Sequence, residues 1–161
     1  MFSISIGQRV LQEDLTDIGI PVYSANVFEP MGLIDDKLLN NFDDEYIIWG
    51  IDGDWMVNIL PKGYEFYPTD HCGVMQVDKN IINPRYMAYI LEKEGARLGF
   101  SRTYRASLDR IKGISIEVPN VNIQNEKMRE VEEFENQIRS LEETQIDLNF
   151  EISNIIKKYL N

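Results

Sequence analysis

Apolar and polar residues keep two different periods along this chain. Up to about residue 119 the apolar positions come in short runs or alternate, as strands do. Beyond that point they recur at Val131, Phe134, Ile138, Leu141, Leu148, Ile152, Ile155 and Tyr159. The steps alternate three and four, which makes these the a and d positions of a heptad, with Gln145 the one polar residue at an a position. A stripe repeating every 3.5 residues predicts a long helix whose seam is to be covered by a second helix.

Within the first part, Ile4 to Val10 alternates loosely, and 14–21 reads as a helical turn or loop. Val22 to Val27 is strand-like, and Asp35 to Asp44 forms an acidic connector. Tyr46 to Ile51 is dense in aromatic and β-branched residues and predicts a strand. Asp52-Gly53-Asp54 then predicts a tight turn, and Trp55 to Leu60 the returning strand of a hairpin. Val74 to Val77 is a further strand. Asn83-Pro84 starts a helix, with Pro84 suited to its first position. Tyr86, Tyr89, Ile90 and Leu91 are expected on its inner side, and Gly95 and Gly99 are expected to loosen or end it. Arg102 to Arg105 reads as a loop, Ser107 or Asp109 as the start of a short helical turn, and Ile114 to Val118 as a closing strand before Pro119. The predicted class is α+β: a mixed, mainly antiparallel sheet domain with short helices over 1–119, then a coiled-coil-type helix over 120–161.

Charge changes the picture in one segment. The 161 residues carry a net charge of −11, which argues against a general nucleic-acid surface. Residues 1–84 hold 14 acidic and 4 basic residues, a net of −10. Residues 113–161 hold 10 acidic and 5 basic, a net of −5. Residues 85–112 reverse the sign, with 7 basic against 3 acidic. That segment is either a solvated helix and loop or a local phosphate-contacting edge. The single cysteine, Cys72, cannot form an internal disulfide, so a cytoplasmic location is expected. No apolar stretch reaches the ~18 residues of a membrane span. The first residues lack the basic region of a signal peptide and begin abruptly in a strand-like alternation.

Catalytic patterns are weak. Asn83-Pro84-Arg85-Tyr86 is only loosely like the Asn-Pro-Pro-Tyr motif of amino-methyltransferases, lacks its second proline, and has no glycine-rich loop before it. Asp70-His71-Cys72 has no second His or Cys to complete a zinc site. His71 and Cys72, adjacent in a strand, would point to opposite faces rather than form a nucleophile pair. Asp52 and Asp54 flank a glycine with no third group beside them in sequence to tune them as acid and base. No metal, no cofactor and no catalytic residue are expected.

The polar loops hold the better candidates. Ser24 and Asn26, Asp52, Asp54 and Trp55, Thr69 and His71, and Ser101, Arg102, Thr103, Tyr104 and Arg105 all fall at strand or helix ends. These residue types read base edges: Arg reads guanine, Asn adenine, carboxylates the cytosine amino group, and hydroxyls several bases. They are also ordinary turn formers. Trp49 is expected in the core.

Several segments together resemble a known family. Val22-Tyr23-Ser24-Ala25-Asn26, Trp49-Gly50-Ile51-Asp52-Gly53-Asp54-Trp55, Phe66 through Gly73, and Gly99-Phe100-Ser101-Arg102 are similar to the target recognition domains of type I restriction-modification DNA specificity subunits. Ile114 through Pro119 followed by Gln124 is similar to that family's closing strand and the start of its spacer helix. Asn120 replaces the usual second proline, and Asn122-Ile123 stand where acidic residues are common. The resemblance implies a non-catalytic reader of double-stranded DNA that takes one part of a split site and docks an adenine methyltransferase subunit, and often a restriction or translocase subunit. S-adenosylmethionine would bind the methyltransferase. One recognition domain and one helix imply a half-subunit. Either two copies pair through Val131, Phe134, Ile138, Leu141, Gln145, Leu148, Ile152, Ile155 and Tyr159, or the chain is a fragment whose helix pairs within a longer subunit. In an antiparallel pair, 35 to 40 residues of helix would separate the readers by roughly 50 to 60 Å. The alternative from another class is a protein-interaction adaptor with a coiled-coil tail and no DNA contact.

Overall fold

The computed structural model describes residues 2–160, the side chain of Leu160 excepted. The chain divides into two compact units, Met1–Val121 and Asn122–Asn161.

The first unit is built on two sheets. A four-stranded antiparallel sheet has the order β1-β7-β4-β5, formed by Phe2–Ile6 (β1), Tyr46–Gly50 (β4), Val57–Leu60 (β5) and Cys72–Val77 (β7). A three-stranded sheet has the order β3-β2-β6, formed by Ile20–Tyr23 (β2), Gly32–Ile34 (β3) and Tyr67–Pro68 (β6), with β2 and β6 parallel. Helices α1 (Pro84–Leu98) and α2 (Leu108–Lys112) complete the unit. The mixed α+β class and largely antiparallel pairing agree with the sequence pattern.

β4 is the central strand, and every residue of it is buried. Ile47 and Trp49 join one core cluster, with Met87 and Leu91 of α1 and Ile111 of α2. Tyr46 and Ile48 join the other, around Phe66. Burial on both faces explains why this segment reads as a continuous apolar run rather than an alternation. Trp49 is fully buried, and its indole N–H donates to the Ala106 carbonyl at 3.0 Å. Its ring lies over Gly73, its partner in register on β7; a Cβ there would lie 2.0 Å from Trp49 Cε2.

α1 starts as expected. Asn83 Oδ1 accepts from the backbone N–H groups of Arg85 (2.9 Å) and Tyr86 (3.1 Å), and Pro84 takes the first turn. Gly99, at φ +76°, closes it in the left-handed region. Gly95 stays inside the helix because Trp55 packs against it; a Cβ there would lie 2.3 Å from Trp55 Cε2.

Four expectations are corrected. Tyr89 is 52 % exposed, and Met87 takes the inner position instead, so the buried stripe is turned by part of a helical step. The strand at Val22 ends at Tyr23, and residues 24–26 form a loop. Asp52-Gly53-Asp54 is not a tight turn: the ladder ends at the Trp49–Val57 pair, leaving a wide loop. Ile51 causes this by sending its N–H to the His71 carbonyl (3.0 Å) and receiving the Ala106 N–H on its own carbonyl (2.8 Å). Ile114 to Val118 forms no strand; Ile114 and Ile116 pack against the core without a backbone ladder. The short β3 and β6 lack a sequence period long enough to register.

The second unit is formed by helix α3 (Val121–Leu160), of 40 residues, from its second residue onward. At 1.5 Å per residue it extends about 60 Å. Phe134, Ile138, Leu141, Leu148, Ile152, Ile155 and Tyr159 are each more than half exposed along it, and Gln145 is exposed among them. No helix among the described residues is long and apolar enough to cross a membrane.

Candidate nucleic-acid interface

Four separate loops come together at one end of the sheets. The first follows β2 (24–26), the second joins β4 to β5 (51–56), the third joins β6 to β7 (69–71), and the fourth follows α1 (99–107). Thr69 Oγ1 donates to Ser24 Oγ at 3.1 Å, linking the first and third. Gly50, which opens into the second, approaches the Ala25 carbonyl so closely that a Cβ would lie 2.3 Å from its oxygen. Backbone bonds from Ile51 to His71 and Ala106 tie the second loop to the third and fourth.

The side chains at this junction are centred on Asp52. His71 Nδ1 lies 2.9 and 3.0 Å from the two Asp52 oxygens. Arg105 Nη2 donates to Asp52 Oδ2 at 2.9 Å. The three side chains are 26 % (Asp52), 43 % (His71) and 51 % (Arg105) exposed, so the cluster is anchored yet open to solvent. Because the carboxylate can only accept, Nδ1 of His71 is the donor in that pair. Nε2 lies 3.8 Å from Asp70 Oδ1, beyond hydrogen-bond reach. Cys72, next along, points the other way into the core; burial pushes its thiol up to about 12, as an inert structural cysteine.

Beside the cluster runs an aromatic column. Trp55 meets Phe100 edge to face at 5.1 Å between centroids, and Phe100 stacks on Tyr104 at 5.6 Å. The Arg110 guanidinium sits 3.9 Å from the Tyr104 ring centre and donates to the Arg105 carbonyl at 2.7 Å. The column and this bond hold the loop that carries Arg105.

The expected site residues therefore separate. Asp52, His71 and Arg105 are joined into one open cluster. Arg102 and Asp54 are exposed, and Arg102 has no ion-pair partner among the described residues. Thr69 is 2 % exposed, so it cannot face a ligand directly and instead braces Ser24. Asn26 spends its side-chain oxygen on the N–H groups of Phe28 (3.0 Å) and Glu29 (3.2 Å), as a turn former does. Ser101 accepts from the Tyr104 N–H and meets Thr103 Oγ1, closing its own loop. Trp55 donates to the Glu92 carbonyl at 2.8 Å and serves α1. Asp70, in the loop with Thr69 and His71, and Arg110, in the basic segment, join the cluster although neither is among the expected base readers. Their places beside His71 and Arg105 depend on the folded loops, not on a spacing in sequence.

Comparison with known proteins agrees with this architecture. Residues 1–149 match the family model described as type I restriction modification DNA specificity domain. A 57-residue stretch is 32 % identical to the putative type I specificity subunit S.MpnORF89P of Mycoplasma pneumoniae, covering 35 % of this chain and 17 % of that protein. Two crystal structures share the fold. One is the type I restriction-modification system S subunit from M. genitalium, with TM-score 0.58 and 15 % identity, covering 87 % of this chain and 40 % of that one. The other is the HsdS subunit from Thermoanaerobacter tengcongensis, with TM-score 0.68 and 10 % identity, covering 89 % and 37 %. The chain thus spans less than half the length of these relatives. With the family model matched over most of its length, the chain belongs to the type I restriction modification DNA specificity domain family.

Proposed function

We propose that this chain recognises one half of a bipartite duplex DNA site and brings an adenine methyltransferase subunit to it. The observation that carries the reading is the convergence of four loops, remote in sequence, into one solvent-facing group of donors and acceptors around Asp52. Such a group suits base edges in a major groove, where direction of hydrogen bonding selects sequence. The net charge of −11 fits a reader whose partners contribute most of the phosphate contacts. In this reading the chain is non-catalytic and acts in the cytoplasm. S-adenosylmethionine is held by the methyltransferase subunit, and a restriction or translocase subunit joins the same assembly.

The exposed seam of α3 supports the second part of the proposal. Two copies meet along Val131, Phe134, Ile138, Leu141, Leu148, Ile152 and Ile155, so that one assembly holds two readers. Gln145 at an a position then fixes register at some cost in stability. Mapping modified adenines by single-molecule sequencing, in host cells with and without the gene, tests the whole. A methylated sequence motif that disappears with the gene is the expected result; an unchanged methylome refutes the function. Light scattering on the purified chain tests the pairing, and a monomer at high micromolar concentration refutes it.

A further inference from the structure

We propose that Asp52 is a positioning residue that sets Arg105 and His71 to read a single G·C base pair. This rests on the DNA-recognition reading above and names the base pair and the residues.

The electrostatics separate base reading from phosphate anchoring. Two carboxylates, Asp52 and Asp70, meet Arg105, Arg110 and the imidazole at the cluster. With a neutral imidazole, as an acceptor role for Nε2 requires, their charges cancel. A site without surplus positive charge is a poor phosphate anchor, because phosphate affinity comes from uncompensated cations. Arg102, exposed on the same loop and without an ion-pair partner among the described residues, suits that task instead.

The hydrogen-bond directions supply the base. Arg105 is held at three places: Nη2 on Asp52 (2.9 Å), its own carbonyl under Arg110 (2.7 Å), and the Ala106 N–H on Ile51 (2.8 Å). Its remaining N–H groups form a planar donor edge of fixed orientation. Guanine presents two acceptors in the major groove, N7 and O6, which match such an edge. Next to O6 in the same pair lies the cytosine N4 amino donor. His71, with its Nδ1 proton on Asp52, presents an Nε2 lone pair to that donor. Arg105 and His71 are neighbours, with Nη2 and Nδ1 3.5 Å apart, so the pair brings two donors and one acceptor to match the two acceptors and one donor of G·C. An A·T pair offers an amino group where Arg105 needs O6, so it is rejected.

The test is the methylome of host cells carrying Arg105→Lys, Arg105→Ala, Asp52→Ala or Asp52→Asn in the chromosomal gene. The expected result is a motif that loses its preference at one G·C position, on the order of tenfold or more, while its other positions stay selective. Arg105→Lys carries the decision, since an exposed Lys keeps the charge and the fold but not the donor edge. If Arg105→Lys leaves the motif unchanged, or lowers methylation equally at every position, the assignment is overturned while DNA recognition stands. If the wild-type gene specifies no motif, the functional reading falls first. Relaxation of the same position by both Asp52 variants is expected for a positioning role, and a uniform loss in Asp52→Asn overturns it.

Discussion

Gly73→Ala is the substitution that most directly tests how the four converging loops are supported. Trp49 covers Gly73 in the facing register, and the added methyl would sit 2.0 Å from its Cε2, far inside contact distance. The ring cannot step aside, being fully buried and hydrogen-bonded through its N–H to Ala106. Overpacking of this kind costs about 1 to 3 kcal/mol. Moving the ring also breaks the bond to Ala106, another ~1 kcal/mol. The sum, roughly 2 to 4 kcal/mol, lowers Tm by about 5 to 15 °C in a chain of this size. Thermal unfolding followed by tryptophan fluorescence, at one protein concentration, measures it. Gly63→Ala is the control: its φ of +81° imposes backbone strain, yet a Cβ there meets nothing within 4 Å. That variant loses only ~1 kcal/mol. If Gly73→Ala unfolds no earlier than Gly63→Ala, the packing argument is wrong.

Other perturbations address charge, assembly and access. Arg102→Ala weakens DNA binding by the assembled complex alike on all sequences and reduces the log–log salt slope by about one, read by titration at several salt concentrations. Leu141→Glu removes roughly 1.5 to 3 kcal/mol of burial from each chain of a symmetric pair, so Kd for self-association rises at least ~100-fold in sedimentation experiments; an unchanged Kd removes Leu141 from the interface. Lys79, paired with Asp44 at 2.9 Å and with Glu45, holds the Glu45 carboxyl below its ordinary value of 4.5. The stabilisation is therefore full above that value and drains as pH falls through the lower folded one. Lys79→Met costs only tenths of a kcal/mol at neutral pH, and the gap from wild type narrows in melts at progressively lower pH. Buried Cys72 reacts with a thiol reagent only as fast as the fold opens; rapid labelling at neutral pH would contradict its burial.

Much of the scaffold was legible because its signals are local. The run Tyr46 to Ile51, the Asn83-Pro84 start and the heptad seam each occupy contiguous residues. Their outcomes, a central strand, a capped helix and one 40-residue helix, follow from short-range chemistry. The junction of the loops was legible only in its parts. Asp52 stands out as a loop carboxylate, but its partners stand 19 and 53 residues away, and their meeting depends on β7 pairing beside β4 and on the loop after α1. The two-residue β6 runs parallel to β2 across more than forty residues, a pairing with no local pattern. Ile114 to Val118 misled for the opposite reason. Its alternation is real as burial, and no neighbouring strand takes it up.

The ends of the four converging loops are held largely by main-chain atoms: Ile51 to His71, Ala106 to Ile51, Cys72 to Thr69, and Thr69 to Tyr23. Amide groups are the same in every residue except proline. Such clamps tolerate wholesale rewriting of the side chains between them. Under the proposed function, a new target is acquired by exchanging a few letters in three or four short stretches, with the chassis refolding as before.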